Sequence, residues 1–352
     1  MTARKKHEFG VFLPVANGGW IISNATPPLD GLWKQNLAAA VTADRVGLDF
    51  VMSMGKWRGF GGVTDHWGVQ MESLTLMAGI APATRRVKLW ATLHPLLQNP
   101  AVAAKMITTL DHLSGGRAGL NIVSGAYKAE FDQMGAWDDA LGHDDRYELA
   151  EEWTTILKRL WSEPSVTYDG RFFQMKDCRS EPKPLSRPRP DLISAGMSQR
   201  GFDFAVRQTD ACFIGGRTQE ERRDSSRRGK AAAAGYGKTI KTYAMCTLVY
   251  AETDAKAEAL AERYGEGVDM GAVIEMLKNW GAPPEKLAEY AREQGAFMTQ
   301  TAVGSPATCR DLIRHFLDDC ELDGLMLIFP DYVEGLEMFG ADILPGLDAR
   351  AA

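Results

Sequence analysis

Metal-binding patterns are missing from this chain. Its six histidines form no HExxH pair, and its five cysteines (Cys178, Cys212, Cys246, Cys309 and Cys320) form no CxxC. No metal site is expected, and an odd, scattered set of thiols reads as reduced cysteines of a cytosolic protein. No serine sits in a nucleophile elbow, which leaves serine hydrolysis a weak option. The glycine run after Arg58 is not followed by GK[ST], and no GxGxxG follows the first apolar run. Neither a Walker loop nor a dinucleotide fingerprint is therefore present. Nowhere do 18 apolar residues run together, so no spanning helix is expected. The charged stretch Met1 to Glu8 lacks an apolar core, and no signal peptide is expected. Basic charge is scarce: 40 Lys and Arg stand against 46 Asp and Glu, a net charge of −6. The densest basic stretch, Arg217 to Lys230, is interleaved with Glu220, Glu221 and Asp224, the pattern of a solvated helix face. The expectation is a cytoplasmic protein with neither nucleic acid nor membrane as partner.

What the chain has is length and alternation. Its 352 residues, 45% of them hydrophobic, suffice for one large core. Short apolar runs at Phe9–Val15, Phe50–Met54, Val87–Thr92 and Ala118–Ser124 read as strands. So do Leu192–Ala195, Ala211–Ile214, Tyr243–Tyr250 and Gly324–Ile328. Helical periods lie between them, as in Leu32–Val46, Glu72–Ala83, Ala101–Leu113, Arg146–Trp161 and Pro306–Cys320. Strands separated by helices favour a parallel sheet. The fold class expected is α/β, a (β/α)8 TIM barrel with insertions, and an open doubly wound sheet is its rival. One domain over residues 1–352 is expected, with a β-hairpin insertion near 166–175 around Asp169-Gly170. A second insertion, helical and carrying Pro283-Pro284, is expected near 253–304 as a lid.

In such a barrel the active site gathers at the C-terminal ends of strands. Five strand ends are polar or glycine-rich here: Asn17 to Trp20, Met54 to Gly62, Thr92 to His94, Asn121 to Gly125 and Gly196 to Ser198. Glycines also end strands merely to turn the chain, and that reading stands beside the functional one. Asn121 lies inside the apolar run GLNIVSG, where an amide must find partners. It either satisfies a neighbouring strand end or serves a ligand, and Thr92 poses the same question. Glu130 is placed to compensate a helix dipole or to serve a site. Arg146-Tyr147 opens a long helix, suiting either an anion or a simple capping turn.

Several segments together resemble the luciferase-like flavin monooxygenases. They are MSMGKWRGFGG (52–62), MESLTLMAG (71–79), TTLDHLSGGRAGLNIVSG (108–125), EFDQMGAW (130–137), HDDRYELAEEW (143–153) and YDGRFFQM (168–175). The likeness runs from Phe9 to about Leu347, and within the family it is strongest to the branch that opens the uracil ring. HDDRY and PKPL are also similar to the dimethyl sulfone and alkanesulfonate branches. The resemblance implies a monooxygenase that uses reduced FMN and O2 on a small organic substrate. It implies an FMN site of Gly55, Lys56, Asn121, Glu130, Arg146, Tyr147 and Ser198. Arg146, Tyr147 and Ser198 would hold the phosphate end, and Asn121 with Thr92 would lie beside the flavin ring. Catalytic candidates are Asn121, Thr92, Lys56 and Glu130, the last two against substrate carbonyl and N–H groups. The branch has Trp where this chain has Ala126, which puts uracil itself in question as the substrate. A separate NAD(P)H-dependent flavin reductase is implied as partner, since no second nucleotide site is visible, and a homo-oligomer is expected. The same fold serves deazaflavin-dependent dehydrogenases, and a non-catalytic flavin-binding protein is the other alternative.

Overall fold

The computed structural model describes residues 7–124, 127–196, 198–216 and 218–348. Its strands are β1 (Glu8–Phe12), β2 (Phe50–Met52), β3 (Lys88–Leu93), β4 (Ala118–Ile122), β5 (Val166–Asp169) and β6 (Gln174–Cys178). They continue as β7 (Asp191–Ser194), β8 (Ala211–Phe213), β9 (Lys241–Tyr250), β10 (Gln300–Gly304) and β11 (Gly324–Ile328). Eight of them run in the order β9-β11-β1-β2-β3-β4-β7-β8, and β8 pairs back to β9, closing a parallel barrel. All eight strands expected from the sequence are in it. β10 pairs parallel with the second half of β9 as a ninth, and β5 with β6 makes a separate antiparallel hairpin.

Local chemistry explains the boundaries. Every residue of β4, AGLNI, is buried, as strands covered on both faces must be. β1 stops at Phe12 rather than Val15, because Pro14 has no N–H for a ladder and the Val15 N–H turns back to the Leu13 carbonyl at 2.8 Å. Helix Pro100–Ser114 starts with Asn99 accepting from the Ala101 N–H at 2.9 Å and Pro100 in its first turn. It ends on Gly115 at φ 69°, a left-handed cap that a side chain would strain.

The segment DHLSGGR, prominent in the family likeness, is largely a clasp. Buried Asp111 accepts from the Leu185 and Ser186 N–H groups at 2.6 and 2.8 Å and from the Ser186 hydroxyl at 2.5 Å. Arg117 donates to the carbonyls of Ala81, Thr84, Val87 and Ser114 at 2.7–3.0 Å. These contacts fix the start of β4 and hence the register of everything along it.

Two compact units are distinguished. One comprises residues 1–51, 56–71 and 244–352, and the other residues 52–55 and 72–243. In the first, Phe9, Phe329 and Phe339 pack ring against ring, and Ile21, Val249, Tyr264 and Ala296 form a further cluster. Its stretch 253–304 carries helices Asp254–Glu266, Met270–Asn279 and Leu287–Gln294 before β10. In the second, Trp153 and Trp161 of helix His143–Ser162 donate to the Gln98 and Ala104 carbonyls at 2.7 and 3.1 Å. Among the described residues no helix is long and apolar enough to cross a membrane.

Candidate functional site

The unit of residues 52–55 and 72–243 brings several of the sequence candidates together. β3 and β4 run parallel with Trp90 opposite Gly119 and Thr92 opposite Asn121. A Cβ on Gly119 would meet the Trp90 ring at 2.3 Å, so only glycine fits beside that indole. Two residues further on, the Asn121 Nδ2 donates to the Thr92 Oγ1 at 3.0 Å. The Thr92 hydroxyl in turn donates to the Ser53 carbonyl at 2.6 Å. The Ser73 Oγ accepts from the Thr92 N–H at 2.7 Å and lies 2.5 Å from the Ser53 Oγ. All four side chains are buried. Thr92 therefore has its proton committed to a carbonyl and its lone pair to the amide.

Asn121 is left half satisfied. Its Oδ1 is buried and accepts no hydrogen bond. An orphaned buried acceptor costs about 1–3 kcal/mol, and groups so placed in a native protein call for an explanation. A ligand N–H aimed at that oxygen provides one, and the edge of a flavin ring carries such N–H groups. The chain thus offers an acceptor that fits the implied cofactor.

His94 extends the cluster. It follows Thr92 by two residues, on the same side of the chain where the strand runs out. Its Nδ1 lies 3.1 Å from the Val123 carbonyl oxygen and its Nε2 3.0 Å from that of Gly55. A Cβ on Gly55 would sit 3.0 Å from the His94 Nε2 and 3.2 Å from both the Thr92 Cγ2 and carbonyl oxygen. Gly55 is glycine because the backbone passes that close.

A second group gathers around helix Gln199–Gln208. Ser198 caps it, its Oγ accepting from the Gly201 N–H at 3.0 Å, which leaves the remaining first-turn N–H groups as an anion-favouring end. The Tyr147 hydroxyl packs over this turn: a Cβ on Gly196 would lie 3.0 Å from it, and one on Gly201 2.3 Å. Those two glycines make the cradle, and Tyr147, Ser198 and the helix end suit a phosphate. Arg146 is turned elsewhere, donating to the Leu141 carbonyl at 2.9 Å with its guanidinium 4.6 Å from the Trp137 ring centroid. Glu130 lies on the short helix Lys128–Asp132 and is buried, with its charge acting on Tyr127. Burial first, and then the Glu130 charge, push the Tyr127 hydroxyl well above the usual tyrosine range. Ala126 lies outside the described residues.

Lys56 belongs to the other unit, buried with its ammonium 5.0 Å from the Phe60 ring. That unit also holds an arrangement the sequence did not announce. Asn17 donates to the Thr64 and Asp65 carbonyls at 3.2 and 2.8 Å and accepts from the Val69 N–H at 2.9 Å. The loop it holds places Asp65 at φ 46° and Trp67 at φ 60°, left-handed values that such side chains rarely adopt. Between them, His66 is completely buried, stacked on Trp67 and lying on Gly18, where a Cβ would come within 2.6 Å of its Nδ1. Neither ring nitrogen has a hydrogen-bond partner. Burial depresses its pKa from 6.5 to about 4, against the weaker pull of Asp269. Nothing in the spacing of Asp65, His66 and Trp67 signals this. Among the described residues no cluster of three or more His, Cys, Asp or Glu could hold a metal ion.

A closed parallel barrel with these strand ends defines a class, and the comparisons agree with it. The family model described as luciferase-like monooxygenase matches residues 7–319, and the chain belongs to that family. It is 36% identical over 357 residues to the pyrimidine monooxygenase RutA of Bradyrhizobium sp., covering 98% of both chains. It is 35% identical to the RutA of Variovorax paradoxus, covering 97% of this chain and 94% of that one. Among solved structures it resembles the riboflavin lyase RcaE, at a TM-score of 0.85 and 20% identity, covering 97% of this chain and 91% of that one. That last likeness shows the fold alone. The enzyme class is flavin-dependent monooxygenase.

Proposed function

We propose that the chain is the oxygenating component of a two-component system, using reduced FMN and O2 to oxidise a small planar cyclic amide of the pyrimidine type. The observation that carries this reading is the buried, unpartnered Asn121 Oδ1 beside a fully committed Thr92. The amide oxygen of that pair accepts from no donor of the protein, in a buried place. The similarity to pyrimidine monooxygenases over nearly the whole chain supports the substrate class.

Reduced FMN supplies the two electrons with which one oxygen atom goes to substrate and the other to water. This chain's own residues bind, orient and exclude solvent. Tyr147, Ser198 and the helix end behind it hold the phosphate. Gly55 lets the backbone come close to the ring, and the Asn121 carbonyl oxygen receives an N–H of the flavin. Because its Nδ2 is tied to Thr92, the amide cannot flip, so the orientation is set before anything binds. Glu130, buried in the same unit as Asn121, accepts from a substrate N–H, and Lys56 is the candidate donor to a substrate carbonyl. A separate NAD(P)H-dependent reductase delivers the reduced flavin.

The test is a product screen. Purified protein, enzymatically reduced FMN and air are incubated with panels of cyclic amides and sulfones, and products are read by mass spectrometry. Oxidation within the amide panel is the expected result. Turnover confined to sulfones would move the substrate class, and no oxygenated product from either panel would overturn the reading.

A further inference from the structure

A carbonyl oxygen can only accept a hydrogen bond, and His94 faces two of them. The Val123 oxygen is 3.1 Å from its Nδ1, and the Gly55 oxygen is 3.0 Å from its Nε2. A neutral imidazole carries one N–H, so it bonds to one carbonyl and turns a bare lone pair on the other. The imidazolium donates to both. We infer that His94 is a positioning residue held as the imidazolium, clamping the chain ends beyond β2 and β4 and setting a fixed positive charge beside the flavin site proposed above.

Three features support the doubly protonated form. His94 is buried, so water does not stand in for a missing N–H. Its contacts come from backbone that cannot recede: Gly55 is wedged against Thr92, and Val123 continues directly from β4, with its own N–H bonded to the Leu93 carbonyl at 3.1 Å. The Phe131 ring meets the imidazole edge to face at 5.2 Å, closing the third side without offering a donor. The charged groups on the packed segments are of both signs. Glu130 precedes Phe131 in the chain and is buried as His94 is. Lys56 follows Gly55 in the chain, and the Tyr127 hydroxyl stays neutral. A cation fixed here has a further consequence. It favours the reduced flavin, which is anionic at neutral pH, over the uncharged oxidised form.

The experiment has two arms, and only the second rests on the proposed flavin chemistry. In the first, the protein is labelled with 15N-histidine and the His94 ring signals are identified by their loss in His94→Gln. At neutral pH both nitrogens are expected at protonated shifts; one protonated and one bare nitrogen overturns the charge. In the second, the affinities of oxidised FMN and anaerobically reduced FMN are titrated in wild type, His94→Gln and His94→Arg. His94→Gln is expected to weaken reduced FMN about tenfold more than oxidised FMN, while His94→Arg, a permanent cation, keeps the wild-type ratio. A clamp without charge weakens both forms alike, and that outcome contradicts the electrostatic role. Should His94→Gln fail to fold, the wild-type signals are assigned by elimination with variants of the other five histidines, and His94→Asn, a second neutral variant, takes its place beside His94→Arg in the binding arm. Wild type that binds neither form of FMN defeats the flavin reading and leaves the nitrogen shifts to decide the clamp.

Discussion

His94 and His66 are both buried and both packed against aromatic rings, yet their surroundings are opposite. His94, in the unit of residues 52–55 and 72–243, has a carbonyl oxygen at each ring nitrogen. His66, in the other unit, has no partner at either. Desolvation works against the charged form in both places. Only at His94 do fixed acceptors oppose it, while at His66 burial prevails and the ring stays neutral down to about pH 4. The charge of a buried histidine is thus written in the backbone opposite it and not in its depth.

The largest expected effect lies at His66. Its folded-state pKa, about 4, is below the 6.5 of an unfolded chain, so between those values the unfolded state binds the extra proton. The stability this contributes is complete above pH 6.5 and is lost as the pH falls through 4, by about 3 kcal/mol over that window. His66→Phe keeps an aromatic ring without titrating, and urea unfolding across pH 4–7 is expected to show a correspondingly flatter profile. Equal slopes in the two proteins would remove the contrast between the histidines.

Asn121→Ala comes next. It deletes a preorganised amide from a dry site, and turnover with reduced FMN is expected to drop by about 10²-fold, roughly 2.7 kcal/mol on the barrier. Melting temperature stays close to wild type, while flavin affinity falls with the lost acceptor and saturating FMN is used for the comparison. A folded, flavin-binding variant that turns over normally breaks the assignment.

Two glycines separate crowding from backbone strain. Gly55→Ala forces a methyl against the His94 Nε2 and is expected to cost about 2 kcal/mol, most of it relieved by combining it with His94→Ala. Gly61→Ala, at φ 69° with nothing within 4 Å of its new methyl, costs only the left-handed strain of about 1 kcal/mol. Thermal melts of the single and double variants check both. Ser198→Ala should be smallest in stability, about 1 kcal/mol for a lost helix cap, and it also weakens FMN binding by titration.

The barrel was legible because its strands are short apolar runs between helical periods, a pattern set by burial on both faces. Thr92 and Asn121 were legible for the same reason, since polar side chains inside such runs need each other. Their hydrogen bond depends on a register that the Asp111 and Arg117 clasp fixes, and no local pattern shows it. His94 stood at a strand end in plain view, but its meaning lies in two carbonyls 29 and 39 residues away. Arg146 read as opening a helix start that suits an anion or a capping turn, and its packing on Trp137, nine residues back, is a contact that no local pattern shows. β10 escaped notice because QTAVG is too short and too polar to stand out beside the helices before it. His66 was hidden by strain, since nothing in the letters DHW marks two left-handed residues around a buried ring.

The proposed function has this chain move an oxygen atom from O2 to substrate at the expense of reduced FMN. The most direct measurement is the reaction run under 18O2 in ordinary water, with a cyclic amide identified by the product screen and FMN reduced by a separate reductase. One 18O atom in each product molecule is expected, and no product when oxygen is withheld. Unlabelled product, or product formed equally well without oxygen, would contradict the proposed function and point to hydride transfer on the same barrel.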